Sequence, residues 1–361
     1  MRVIFACGGT GGHIYPAIAV ADLLKRGAGV KVLFAGSSGG MEEKIAGRAG
    51  YKFKGVDAKP LLRRFSAKNA GNIYSSLKAV AQSAGIIKEF RPCVVMGTGG
   101  FASFPVVAAA VLEGKRTVIH EPNMKPGAAN RLLAGFVSAI TVGFEETAVY
   151  FPKSRVCVTG NPVRSSIGAV SRSAAAGRMG VNPLRKTLLV MPGSRAAHSI
   201  NEVLLAALPY IYAKVKGLQV LWMSGDADYG RVKKGAASYR GIRVFRFIKR
   251  AEDAYAASDA GILRAGAATL SEITAAKLPC VLVPYPHATG NHQEKNAEVF
   301  EKREAAVVIK DKDMTKENLA ETVTAVLSSA RSRKMRAALG KMHKPGSAER
   351  IAAIITGEAA K

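Results

Sequence analysis

The chain begins with an apolar run that leads directly into a glycine-rich loop. Val3 to Cys7 is typical of a buried strand, and the loop GGTGGH follows at Gly8 to His13. Apolar residues then recur at the spacing of one helix face, at Ile14, Ala17, Ile18, Ala21 and Leu24. The order is therefore strand, glycine loop and helix, with Pro16 expected in the first helical turn, where its missing N–H matters little. This unit is typical of α/β proteins with parallel sheets.

The glycine loop predicts an anion site. Glycine lets backbone N–H groups approach an anion closely, and the helix N-terminus adds its dipole. The loop is not a Walker loop, because no Gly-Lys-Ser/Thr follows, and Ile14 stands where GxGxxG needs its last glycine. His13 places a titratable group beside the bound anion. The loop therefore indicates phosphate-bearing substrates and proton transfer.

Length, composition and charge limit the class of protein. The 361 residues predict two domains, and 48% apolar residues suffice for packed cores. The 53 basic and 26 acidic residues give a formal charge of +27, and both halves share the excess. The charge indicates phosphates, an anionic membrane or nucleic acid as partner, unless the source proteome is basic throughout. We predict no nucleic-acid partner, because no helix-turn-helix, zinc module or RNP motif accompanies the charge.

The cysteines and the apolar segments predict a reducing compartment. Cys7, Cys93, Cys157 and Cys280 form no CxxC pair, so we expect buried free thiols and no metal site.

The first apolar run is too short for a signal peptide. The uncharged stretch from Cys93 to Leu112 is interrupted by glycines and Pro105, so we interpret it as strand, loop and helix rather than a membrane span.

Strands alternate with helices throughout the chain, which predicts two doubly wound, Rossmann-like domains that face each other across a cleft. The domains are expected at residues 1–163 and 164–340, followed by a C-terminal helix at 341–361 that could pack back on the first domain. Ser165 to Pro183 is interpreted as a linker. The further predicted strands are Val30–Ala35, Val94–Met96, Thr117–His120, Ala139–Val142, Val156–Thr159, Thr187–Met191, Gln219–Met223, Arg243–Phe247, Ala260–Leu263 and Cys280–Pro284.

In the first half, three more motifs follow strands. A second glycine loop with Gly99 and Gly100 opens another helix, and two such loops in one sheet favour a diphosphate cradle over simple tight turns. His120-Glu121-Pro122-Asn123 could be a polar turn or a set of cleft residues. Gly160 to Arg164 ends the half, and Arg164 could hold a phosphate at the domain junction.

In the second half, the loop Pro192-Gly193-Ser194-Arg195 has the form of a further anion loop. Thr269 and Glu272 fit a helix capping box, but Glu272 could instead accept both hydroxyls of a ribose. In the polar segment after Pro286, His292 and Gln293 could bind sugar hydroxyls.

Together these motifs resemble the bacterial N-acetylglucosaminyltransferases of peptidoglycan synthesis over nearly the whole chain. The order GGTGGH, GTGGF, HEPN, GNPVR, RAGAATLSE and NHQEKNA carries the resemblance. It implies the GT-B arrangement and transfer of N-acetylglucosamine from UDP-N-acetylglucosamine to an undecaprenyl-diphosphate-linked muramoyl-pentapeptide, lipid I, without metal or cofactor. It also implies peripheral attachment to the cytoplasmic face of the cell membrane.

The resemblance also assigns roles. His13 is the candidate base, with Glu121 as the alternative. The implied substrate-binding residues are Thr10, Gly11 and Gly12 near the donor diphosphate and acceptor, Asn123 in the cleft, Arg164 and Ser194 on phosphates, Ile248 on uracil through its backbone, Glu272 on ribose and Gln293 on sugar hydroxyls. Gly8, Gly9, Gly99 and Gly100 form the acceptor diphosphate loops.

Several donor-half positions depart from the family pattern, namely Pro192, Arg195, Trp222, Met223 and Ala265. The sequence Pro-Gly-Ser-Arg is also similar to lipid A disaccharide synthase, which lacks the GGTGGH and NHQ segments and is the first alternative. A UDP-N-acetylglucosamine 2-epimerase, which needs no lipid acceptor, is the second.

The expected reaction is a single inverting displacement at the anomeric carbon, with the base taking the proton of the acceptor hydroxyl. Helix N-termini and Arg164 would stabilise the leaving diphosphate. Leu61, Leu62 and Phe65 interleave with Arg63, Arg64 and Lys68, so this segment is either a shallow membrane anchor or an ordinary solvated loop.

Overall fold

Two doubly wound α/β units make up the structure, which is a computed structural model. It describes residues 1–9, 11–27, 29–59, 68–193 and 198–358, with only the backbone at 68–74 and 289. The first unit comprises residues 1–163 and 344–361, and the second comprises residues 164–343. The fold class predicted for each half is confirmed. The chain returns to the first unit at Lys344, slightly later than the predicted position 341.

The first unit is built on a parallel sheet with the strand order β3-β2-β1-β4-β5-β6-β7. Its strands are β1 (Arg2–Ala6), β2 (Lys31–Ser37), β3 (Lys52–Val56), β4 (Val94–Gly97), β5 (Arg116–Glu121), β6 (Ala139–Val142) and β7 (Val156–Val158). Its helices are α1 (Gly11–Arg26), α2 (Met41–Arg48), α3 (Lys68–Phe90), α4 (Ser103–Leu112), α5 (Ala128–Leu133) and a 3-10 turn at Glu145–Tyr150.

The second unit repeats the plan on a parallel sheet with the order β10-β9-β8-β11-β12-β13. Its strands are β8 (Thr187–Met191), β9 (Gln219–Met223), β10 (Ile242–Phe245), β11 (Ala260–Leu263), β12 (Cys280–Leu282) and β13 (Val307–Val308). Its helices are α6 (Arg172–Met179), α7 (His198–Lys214), α8 (Tyr229–Gly235), α9 (Ala251–Ala257), α10 (Ala267–Ala276), α11 (His292–Lys302), α12 (Lys316–Leu327) and α13 (Ser329–Met342), with 3-10 turns at Thr289–Asn291 and Asp311–Asp313.

Each sheet is buried on both faces, which explains why the strands read as continuous apolar runs. In β1, Ile4 packs into the core on one face of the sheet and Val3 and Phe5 into the core on the other. The last helix, α14 (Ser347–Thr356), joins the second of these cores through Ile351 and Ile355. Its Arg350 donates a hydrogen bond of 2.6 Å to the carbonyl of Thr159, which fastens the returning segment to the first unit.

Several local predictions were wrong. Pro16 lies beyond the first turn of α1, because the helix already begins at Gly11. The predicted linker contains α6, which Ser171 caps at its start and Gly180 ends in a left-handed conformation at φ 68°. Its alanines supply the buried face, which is why a small-residue segment looked like a linker.

The remaining differences concern strands and thiols. Strands β3 and β13 were not predicted, because one is largely exposed and the other spans two residues. Strand β10 ends at Phe245, before the predicted Phe247. Cys7 and Cys280 are buried, but Cys93, which lies just before β4, is exposed, and Cys157, in the edge strand β7, is half-buried. No helix among the described residues is long and apolar enough to cross a membrane.

Candidate active site

The two glycine loops of the first unit meet at the point where the strand order reverses. Strands β1 and β4 are neighbours with consecutive crossovers leading away on opposite sides, and their carboxyl ends lead into the loops at Gly8 and at Thr98. A Cβ atom on Gly100, which has φ 85°, would lie 2.1 Å from the Gly8 carbonyl oxygen. Only glycine fits there, so the loops touch through their backbones. Such a switch point is where doubly wound sheets bind ligands.

His13 lies in the first turn of α1 and is held against the second glycine loop. Its Nδ1 is 2.7 Å from the carbonyl oxygen of Thr98. A Cβ atom on Gly99 would lie 3.1 Å from Cε1 of His13, so a larger residue would press on the ring. Because a carbonyl oxygen can only accept, Nδ1 carries the proton and the neutral ring has its basic lone pair on Nε2.

Glu121 ends β5 and its side chain is almost completely enclosed, with the residue 1% exposed. Oε1 accepts hydrogen bonds from the Asn123 backbone N–H at 3.0 Å and from Asn123 Nδ2 at 3.1 Å. Oε2 accepts from the Gly127 N–H at 3.0 Å and from Asn130 Nδ2 at 2.9 Å. Four donors therefore converge on one carboxylate, which fixes the turn that carries Asn123.

Asn130 was not predicted from the sequence. It lies in α5 and is 1% exposed, and its Nδ2 donates both to Glu121 and to the His120 carbonyl at 3.0 Å. Its Oδ1 is buried and has no hydrogen-bond partner in the described part of the chain. The available signal in the sequence was an asparagine a few residues after HEPN, but its burial depends on how α5 packs, which the local pattern does not show.

His120 supports the same edge of the sheet from inside the core. Its Nδ1 lies 3.0 Å from Thr141 Oγ1, and its Nε2 lies 2.9 Å from Asn161 Oδ1. Burial lowers the pKa of His120 to about 4. The ring is therefore neutral near pH 7, and it ties the HEPN turn to the Asn161 turn, whose Nδ2 donates to the Pro122 carbonyl.

In the second unit, the switch point lies between β8 and β11. Pro192 and Gly193 follow β8, with Gly193 at φ 85°, and Arg264, Ala265 and Gly266 follow β11. Ser194, like Thr10 of the first loop, lies outside the described residues, as do Leu61, Leu62 and Phe65.

Arg164 and Glu272, which were predicted to contact different parts of the substrate, are close to each other. Nη2 of Arg164 lies 3.6 Å from Oε1 of Glu272, and its Nη1 lies 3.5 Å from Oε2 of Glu252. The Tyr255 hydroxyl donates to Oε2 of Glu272 at 2.8 Å. Helix α10 begins at Ala267 with Gly266 as its N-cap, so Thr269 is inside the helix and the capping-box alternative for Glu272 is wrong.

The other predicted donor residues have partners of their own. The Ile248 N–H donates to Sδ of Met223 at 3.4 Å, and Oε1 of Gln293 accepts from the Tyr285 N–H at 3.0 Å. Trp222, the other departure beside Met223, is fully buried and donates from Nε1 to Asn201 Oδ1 at 2.8 Å. Both unusual residues therefore fill interior space at the end of β9.

Two groups of the predicted residues that the structure describes lie close together. In the first unit His13, Gly99 and the Glu121 network lie beside one another, and in the second Arg164 and Glu272 are in contact. Among the described residues, no group of three or more His, Cys, Asp or Glu side chains could hold a metal ion.

Comparisons with known proteins cover both units. Residues 3–142 match the glycosyltransferase family 28 N-terminal domain, and residues 187–351 match the glycosyltransferase family 28 C-terminal domain.

Two relatives named UDP-N-acetylglucosamine--N-acetylmuramyl-(pentapeptide) pyrophosphoryl-undecaprenol N-acetylglucosamine transferase match nearly the whole chain. The one from Halothermothrix orenii is 38% identical over 96% of this chain and 95% of its own length. The one from Desulfitobacterium hafniense is 39% identical over 97% of each chain.

The crystal structure of Acinetobacter baumannii MurG is similar with a TM-score of 0.79 and 26% identity, over 99% of both chains. A UDP-N-acetylglucosamine 2-epimerase structure from Listeria monocytogenes has a TM-score of 0.71 at 12% identity, over 99% of this chain and 96% of its own, and shares the fold alone.

Proposed function

Because the chain belongs to glycosyltransferase family 28, we propose that it transfers N-acetylglucosamine from UDP-N-acetylglucosamine to a muramyl-pentapeptide carried on pyrophosphoryl-undecaprenol. The resemblance found in the sequence is confirmed, and relatives with this activity in their names align over nearly their full length. The observation that carries the chemistry is His13, oriented by the Thr98 carbonyl at the edge of two touching glycine loops. Transfer of labelled sugar to a lipid I analogue tests the proposal.

His13 acts as the general base of an inverting displacement. The acceptor hydroxyl oxygen forms a bond to the anomeric carbon while the bond from that carbon to the UDP oxygen breaks. The hydroxyl proton passes to Nε2 of His13, since Nδ1 already holds a proton directed at Thr98. The electron pair leaves with UDP, whose diphosphate is stabilised by backbone N–H groups rather than by a metal.

Glu121 acts by organising the site. Each oxygen of Glu121 already accepts two hydrogen bonds from the protein, which fills both of its acceptor positions and leaves none for an acceptor hydroxyl. We therefore assign to Glu121 the role of holding Asn123 and the turn from Pro122 to Gly127. Of the two candidate bases, this arrangement favours His13.

The remaining site residues keep their predicted roles. Glu272 binds the ribose hydroxyls, and the Ile248 backbone binds the uracil once its N–H exchanges the weak sulfur acceptor of Met223 for a carbonyl oxygen. Gln293 binds the sugar. The diphosphate and acceptor residues are Gly8, Gly9, Thr10, Gly11, Gly12, Gly99, Gly100, Asn123, Arg164 and Ser194.

The acceptor carries an undecaprenyl chain, so the protein works at a membrane surface as a peripheral protein on the cytoplasmic face. Its formal charge of +27 supports attraction to anionic lipid headgroups. The segment from Leu61 to Lys68 stays the predicted anchor, with apolar residues between basic ones.

A further inference from the structure

A carboxylate next to the proposed ribose site has no role in the activity described so far. Glu252 is the second residue of α9, and its side chain is 12% exposed. Its Oε2 is buried and lacks a hydrogen-bond partner within the described ranges. A buried carboxylate oxygen without a hydrogen bond is unfavourable unless a positively charged group lies nearby.

Arg164 supplies that charge and shares it with Glu272. Nη1 lies 3.5 Å from Oε2 of Glu252, and Nη2 lies 3.6 Å from Oε1 of Glu272. One guanidinium therefore lies between two carboxylates, one from α9 and one from α10. Arg250 is a further cation near Glu252, with Nε 3.7 Å from Oε1.

Glu272 has two polar neighbours on its carboxylate. Burial raises the pKa of Glu272 and the nearby charge of Glu252 raises it further, whereas the Tyr255 hydroxyl and Arg164 act in the opposite direction. Each carboxylate oxygen has two acceptor positions, so Tyr255 and Arg164 leave one on each oxygen of Glu272 for a ligand. Two adjacent acceptors match the two O–H donors of a vicinal diol.

Arg164 would not hold this position by itself. Its side chain is 41% exposed, and an exposed arginine paired with a single carboxylate gains little from the pair against its rotamer entropy. Glu252 gives the guanidinium a second, largely buried counterion. We propose that Glu252 is a positioning residue for nucleotide binding: it holds Arg164 against Glu272, so that the Glu272 carboxylate stays directed at the ribose hydroxyls. This inference rests on the proposed ribose role of Glu272.

Calorimetric titration of the full chain with UDP and with 2′,3′-dideoxy-UDP tests it without needing turnover. The unaltered protein should prefer UDP. Glu252→Gln should weaken UDP binding about tenfold and dideoxy-UDP binding by clearly less, because the diol contact is lost only for UDP whereas the proposed phosphate contact of Arg164 is common to both nucleotides. Glu252→Asp, which keeps the charge on a shorter side chain, should fall between. Glu321→Gln, on the exposed face of α12, is the matched control and should change neither affinity.

The double variant Glu252→Gln/Arg164→Gln shows whether Glu252 affects UDP binding through Arg164. If Glu252 acts through Arg164, the double variant binds UDP as weakly as Arg164→Gln alone. Additive losses, or an equal loss for both nucleotides, would overturn the inference. A melting curve shows whether Glu252→Gln folds. If it does not fold, the UDP and dideoxy-UDP affinities of Glu252→Asp are compared instead, and they test the inference in the same way. If Glu272→Gln still prefers UDP to dideoxy-UDP, the proposed ribose role of Glu272 is wrong. That outcome is distinguishable from one in which only the proposed role of Glu252 is wrong.

Discussion

His13 Nδ1 and the carbonyl oxygen of Thr98 lie 2.7 Å apart, which joins the first turn of α1 to the loop after β4. The contact crosses 85 residues of sequence and fixes which nitrogen of the ring is basic. The two glycine loops are therefore linked, because the second of them orients the residue that closes the first. The chemistry proposed for the first unit follows from this one hydrogen bond.

Replacing His13 with alanine should lower kcat by about 10² to 10⁴ while KM for both substrates changes little. The acidic limb of the rate profile should disappear in the variant, because protonation of the imidazole no longer controls activity. Steady-state kinetics across pH measure both effects. A large rise in KM with near-normal kcat would instead make His13 a substrate ligand only.

Glu121→Gln should lower both turnover and the melting temperature. The amide presents one N–H₂ group to donors that now face a carboxylate oxygen, and each unsatisfied buried donor costs about 1–3 kcal/mol. If Glu121 were the base, turnover would fall with no loss of stability. Thermal melting and kcat measured on the same preparation separate these roles. Glu349→Gln, at an exposed position of α14, is a control.

His120 should make stability depend on pH below neutrality. The unfolded chain takes up this proton near pH 6.5 and the folded protein only near pH 4. Between these values the unfolded state binds more protons, so stability falls as the pH falls, by about 3 kcal/mol over the interval. Above pH 6.5 the contribution is fully present.

His120→Gln removes the titrating group and should flatten that part of the curve. Urea unfolding from pH 7 to pH 4 gives the difference in the free energy of unfolding between the two proteins. A difference that does not change with pH would contradict a buried neutral histidine at this position.

Binding to anionic vesicles should weaken as salt rises, because surface charges are screened beyond about 8 Å at physiological ionic strength. Replacing Leu61, Leu62 and Phe65 with serine should weaken binding further at constant salt. Co-sedimentation with anionic and neutral vesicles measures both the electrostatic contribution and the contribution of the apolar side chains to binding. Equal binding to the two lipid compositions would argue against an electrostatic contribution.

The architecture was predictable because its strands are buried on both faces. Buried strands such as Val3 to Ala6 and Leu188 to Val190 appear in the sequence as uninterrupted apolar segments. The glycines that follow β1 and β4 mark the loops at the ends of these strands. The edge strand β3 and the two-residue β13 carry no such signal, because exposed or very short strands bury too little to shape the sequence.

The partners of the site residues were harder to predict than the residues themselves. The sequence singled out His13, Glu121, Arg164 and Glu272, but not that Asn130 would reach Glu121 or that Glu252 would share Arg164. Each contact joins a helix to another part of the chain, so its geometry depends on how that helix packs on the sheet. A polar residue in a short helix has the same local pattern whether it is buried or solvated.

Transfer of labelled N-acetylglucosamine from UDP-N-acetylglucosamine to a lipid I analogue, with EDTA present, tests the central claim most directly. The account predicts a labelled lipid product and released UDP in equal amounts, with no loss of rate on metal removal and no product from His13→Ala above about one hundredth of the unaltered rate. UDP-N-acetylglucosamine incubated alone should remain unchanged. Epimerisation of the donor without a lipid acceptor, or no labelled lipid from an enzyme that binds UDP, would contradict it.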